Sequence, residues 1–183
     1  MAYFNFFTPC AHPRKVINLM REFLQSATSL PNKIQMKKSN EGFYTLVDGY
    51  GVKPASDSLL CIGYDTNSLC NVGEWKIPNK EFSSFINKLS NNLTKGFSNL
   101  TLALLHELGH QETKHLIPCT YEIEKMFALA EIDRSTCAIG NQMYFELKDE
   151  RKATEWAINW LTKAENRRKA KAFEKAFFKA WRG

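Results

Sequence analysis

At 183 residues, with 44% hydrophobic and 24% charged residues, the chain has the make-up of one folded domain with a real core, which excludes a disordered chain. Its longest aliphatic run, Leu102 to Leu105, is far below the roughly 20 residues a membrane span needs, so no span is expected. The net charge of +6 belongs to the tail: from Lys163 onward there are eight bases and two acids, while the first 162 residues hold 17 of each.

His12-Pro13 opens a predicted helix to about residue 29, with Val16, Leu19, Met20, Phe23 and Leu24 forming an apolar stripe at helical spacing. Short extended pieces are predicted at 43–47 and 59–64, separated by a turn rich in Gly and Asp. Pro78-Asn79 starts a helix to about 93, and another runs from about 98 to 115, where Pro118 breaks it. A shorter helix at 121–130, a loop at 133–142, and two last helices at 147–164 and 167–181 close the chain. No repeat or low-complexity tract interrupts this order. The pattern predicts an α+β fold, with a small, mostly antiparallel sheet and helices gathered on it. A domain over residues 1–164, followed by a basic amphipathic helix at 165–183, is the expected organisation.

The five cysteines, Cys10, Cys61, Cys70, Cys119 and Cys137, are odd in number and lack a paired C-x-x-C, unlike a secreted disulfide scaffold. Cys10-Ala11-His12 suggests idle or buried thiol more than metal ligand. The aromatic start has no basic leader, and Pro9 and Pro13 cut it short. A cytoplasmic location is therefore expected.

The strongest chemical signal is Leu104-Leu105-His106-Glu107-Leu108-Gly109-His110. On a helix, residues four apart stand one above the other, so both imidazoles face the same way and suit one metal ion. Glu107 is turned about 100° from them, able to reach a water on the metal and accept its proton. Thr101, Leu104, Leu105 and Leu108 make an apolar face on the opposite side, through which the helix should be buried, and Gly109 permits close packing.

Catalytic zinc needs three protein ligands and an open position. His115 is out of register for the long H-E-x-x-H-x-x-G-x-x-H motif, because Thr113 and Leu116 occupy its Gly and His positions. That leaves His115 as a helix-end or substrate contact. Glu150 is the better third ligand: it sits early on a helix whose inner face carries Ala153 and Ala157, so a second helix could lie close and deliver a carboxylate. Glu146, Asp149 and Glu155 compete for that role.

The pair His106-Glu107-Leu108-Gly109-His110 and Glu150-x-x-Ala153-x-x-Trp156-Ala157 resembles the ImmA/IrrE-type metallopeptidases, whose pattern is H-E-L-G-H followed by E-x-x-A-x-x-F-A. The resemblance covers roughly residues 101–161, with Trp156 in place of the usual Phe. It implies a zincin-like core with the H-E-x-x-H helix at its centre. It also implies zinc on His106, His110 and Glu150, with Glu107 as general base. Such proteins are often carried by phages and mobile elements, and the best-known members cleave helix-turn-helix repressors.

In the tail, Phe173, Ala176, Phe177, Ala180 and Trp181 fall on one side of a helix and Arg168, Lys171, Lys175, Lys179 and Arg182 largely elsewhere. The aromatic side suits docking on the domain. The basic side suits an acidic partner, nucleic acid or an anionic surface. Two function classes follow: a zinc endopeptidase with a protein substrate, for which the retained Glu107 argues, or a non-enzymatic phage-type inhibitor or regulator acting through the basic tail.

Overall fold

The computed structural model describes residues 11–29, 34–38, 43–46, 59–64, 79–113 and 148–183. The helix expected at 121–130, the loop at 133–142, His115 and Glu146 lie outside the described residues.

Helix α1 (Pro13–Ala27) starts on Pro13, whose fixed φ and missing N–H suit the first helical position. Val16, Met20, Phe23 and Leu24 are its buried stripe. Three strands follow, β1 (Ile34–Lys38), β2 (Phe43–Leu46) and β3 (Leu59–Tyr64). Four more helices complete the described chain: α2 (Asn79–Leu89), α3 (Asn99–Glu112), α4 (Lys148–Thr162) and α5 (Ala164–Arg182).

The expected α+β fold with a mostly antiparallel sheet needs correction. The described residues are mostly helical, and their strands are only four to six residues long. These form one mixed sheet in the order β1-β3-β2. β3 pairs antiparallel with β2, Phe43 opposite Ile62, but parallel with β1, Ile34 opposite Leu60. β1 carries little strand signal of its own, because Ile34-Gln35-Met36-Lys37-Lys38 alternates only twice and has a single β-branched residue. With that strand added in parallel, the sheet ceases to be a simple antiparallel one.

The helices share one core. Phe23 of α1 stacks on Phe173 of α5 with ring centroids 4.3 Å apart, and Trp160 of α4 meets Phe23 edge-on at 6.0 Å. Phe177, Ala180 and Trp181 continue that contact, and the Ala11 N–H donates to the Trp181 carbonyl at 3.0 Å. The aromatic side of the C-terminal helix is therefore part of the same core as α1 and α3. Each such ring contributes roughly 1.5–3 kcal/mol when fully buried.

Helix α3 is held at both ends. Ser98 caps it by accepting from the Thr101 N–H at 3.2 Å. Buried Glu174 of α5 accepts from the Ser98 N–H at 2.5 Å and from the Thr101 hydroxyl at 2.8 Å, placing a carboxylate where the helix dipole favours one. At the other end, Glu112 accepts from the Ser29 N–H at 2.8 Å and the Thr28 hydroxyl at 2.5 Å. These ties fix α3 against α5 at its start and α1 at its finish.

The burial of α3 exceeds the one-sided face expected from sequence. Leu100 through His106, Leu108, Gly109 and Gln111 are all buried, because α1, α4, β2 and β3 pack around it. Within α3 only Asn99, Glu107, His110 and Glu112 keep partial exposure. Among the described residues, no helix is long and apolar enough to cross a membrane.

Candidate metal centre

The site forms where α4 crosses α3. Gly109 makes that crossing close: a Cβ built on it would lie 2.3 Å from the Ala153 carbonyl oxygen and 2.9 Å from the Ala153 Cα. Ala153 and Ala157 of α4 are both fully buried. Small residues on both helices thus let the backbones meet where any larger side chain would hold them apart.

That approach brings Glu150 onto the histidine pair. Its Oε2 lies 2.9 Å from His106 Nε2 and 3.5 Å from His110 Nε2, and the two ring nitrogens are 3.2 Å apart. The rings stand nearly perpendicular, with centroids 4.8 Å apart. His106, His110 and Glu150 are the one group of metal-ligand side chains found among the described residues.

The spacing allows a test of fit. Three donors at about 2.0–2.1 Å around a tetrahedral ion stand roughly 3.3 Å from one another. The observed separations of 2.9, 3.2 and 3.5 Å bracket that value. Two imidazoles and a carboxylate are also a donor set of the borderline kind that suits zinc, and three protein donors leave a tetrahedral position open. The residues fit the ion.

Electrostatics agree with the geometry. Burial by itself would raise the Glu150 carboxyl, but when the His106 and His110 rings are protonated their hydrogen bonds to it and their charge outweigh that effect. The group is held well below the usual carboxylate range, which favours the anionic form that a metal ligand needs.

Among the competing acids, Glu155 is the one whose side chain is described. Glu155 pairs with Arg151 at 3.0 Å on an exposed part of α4 and does not enter the cluster. The side chain of Asp149 lies outside the described residues, as does all of Glu146. Glu107 stands on α3 one residue after His106, partly exposed beside the buried cluster.

Thr154 also touches the cluster, without a marked signal in the sequence. Thr154, fully buried, places its hydroxyl oxygen 3.0 Å from His106 Nδ1. Its only sequence signal was its position four residues after Glu150, which puts both on one face of α4. No family model matches the chain, and no curated protein or solved structure is significantly similar to it.

Proposed function

We propose that the protein is a zinc-dependent peptidase acting on a protein substrate, with His106, His110 and Glu150 as ligands and Glu107 as general base. The observation that carries this reading is the convergence of three donor atoms from two helices at spacings a tetrahedral ion requires. The motif resemblance to the ImmA/IrrE-type metallopeptidases points the same way, and makes a transcriptional repressor or similar regulator a reasonable substrate class to try first.

When bound, zinc supplies Lewis-acid activation of water and polarisation of a carbonyl. The chain's own contribution is distinct. His106 and His110 offer ring nitrogens from successive turns of one helix, and Glu150 adds the charge that makes the cluster selective for a cation. Glu107 would take the proton from the attacking water and pass it to the leaving amine.

Metal analysis tests the reading directly. The purified protein should hold about one zinc per chain. His106→Ala or His110→Ala should abolish retention through gel filtration, because two remaining ligands hold the ion poorly. A parent protein without zinc after refolding in excess metal would defeat the proposal.

A second surface has its own reading. Arg168, Lys175, Lys179 and Arg182 are exposed on α5 at spacings of seven, four and three residues, which aligns them on one stripe opposite the docked aromatics. We propose that this stripe receives an acidic partner, with nucleic acid as the first probe. The parent should bind a mixed-sequence DNA duplex with an affinity that falls as salt rises. The triple variant R168E/K175E/K179E should lose at least about tenfold in affinity with an unchanged melting temperature, since these side chains are outside the core. Equal affinity in the variant removes the stripe from consideration.

A further inference from the structure

We infer that Thr154 is a positioning residue for the metal centre: it selects the His106 tautomer whose Nε2 lone pair faces the ion. The inference rests on the zinc reading above. It follows from the accounting of a single hydroxyl proton.

The Thr154 hydroxyl donates to the backbone carbonyl of Glu150 one turn earlier, at 2.8 Å. With its proton committed there, the oxygen offers only lone pairs to His106 Nδ1 at 3.0 Å. On that assignment the imidazole donates from Nδ1. A neutral ring that carries its proton on Nδ1 has its lone pair on Nε2, the nitrogen 2.9 Å from Glu150 and 3.2 Å from His110. No solvent is available to replace the partner, because Thr154 is fully buried and His106 is 5% exposed.

The opposite arrangement shows what the threonine prevents. If Nδ1 were left without an acceptor, the ring would gain most by carrying its proton on Nε2 and donating it to the Glu150 carboxylate. That hydrogen bond would close the cluster on itself and occupy the coordination position with a proton. Glu150 and Thr154, four residues apart on α4, thus grip the two edges of the same imidazole. The carboxylate faces the ion, and the hydroxyl decides which nitrogen does.

The test uses the full chain, zinc as the probe and a chromophoric chelator as competitor. Thr154→Val keeps the shape and removes the hydroxyl; Thr154→Ser keeps the hydroxyl. Loss of such an outer partner weakens metal binding by about 10–100-fold. We expect that loss in T154V and recovery to within a few-fold of the parent in T154S. In the nitrogen-15 spectrum of the zinc-loaded parent and of T154S, His106 should carry its proton on Nδ1 and its metal on Nε2. T154V affinity equal to the parent's overturns the inference, and so does ligation through Nδ1 in the parent, a readout that survives if T154V fails to fold. A parent that binds no zinc overturns the underlying reading instead, so the two failures are distinguishable.

Discussion

Replacing Gly109 by alanine is expected to damage both the fold and the metal centre, although alanine is the better helix former. The intrinsic gain is about 0.8–1.0 kcal/mol in a helix interior. Against it stands a methyl group 2.3 Å from the Ala153 carbonyl oxygen and 2.9 Å from the Ala153 Cα, atoms of a backbone that has no rotamer to turn aside. Relief requires α4 to retreat by on the order of 1 Å, and overpacking of this kind typically costs about 1–3 kcal/mol or more. The clash wins. At about 2–4 °C per kcal/mol for a chain of this size, the melting temperature should fall by several degrees. The retreat also moves Glu150 from its 2.9 and 3.5 Å positions beside the histidines, so zinc affinity should drop by at least about tenfold. Thermal melts and chelator competition on Gly109→Ala check both parts. A variant as stable and as tightly zinc-bound as the parent would show that the helices do not meet at this point.

Glu107→Gln separates chemistry from structure. The change is nearly isosteric, at a partly exposed position outside the donor cluster, so zinc content and melting temperature should stay close to those of the parent. Glutamine cannot accept the proton of the attacking water, and loss of a positioned general base costs about 10²–10⁴-fold in rate. Peptide hydrolysis, followed on a protein substrate once one is found, should fall by that factor with full zinc retained. An equally active Glu107→Gln protein would assign the chemistry to some other group.

Some features of the cluster come from neighbours along the chain and others from how the helices meet. The i, i+4 placement of His106 and His110, the position of Glu107 between them, and the small residues Gly109, Ala153 and Ala157 are properties of neighbours along the chain. Helical geometry turns each into a direction in space without knowledge of the rest of the fold. The apolar stripes of α1 and α5 were legible for the same reason, and Phe23 meets Phe173 as stripes of that kind allow.

What sequence left open depended on how elements meet. Glu150 and Glu155 differ by roughly 140° around the α4 axis, so the rotation of that helix against α3 decides which of them reaches the histidines. Packing of Ala153 against Gly109 sets the rotation, bringing Glu150 to the histidine pair and leaving Glu155 with Arg151. Thr154 has the same origin: a threonine inside a helix has no distinguishing local signal, and only the crossing places its hydroxyl beside His106 Nδ1. The sheet was misjudged because β1 offers two alternating apolar residues and owes its strand to a parallel pairing with β3, about 26 residues further along the chain. The sequence by itself determined the histidine pair, the glutamate between them and the glycine that allows a second helix to approach. Only the tertiary structure decided which carboxylate and which hydroxyl that helix delivers, because both follow from backbone-to-backbone contact between segments some forty residues apart.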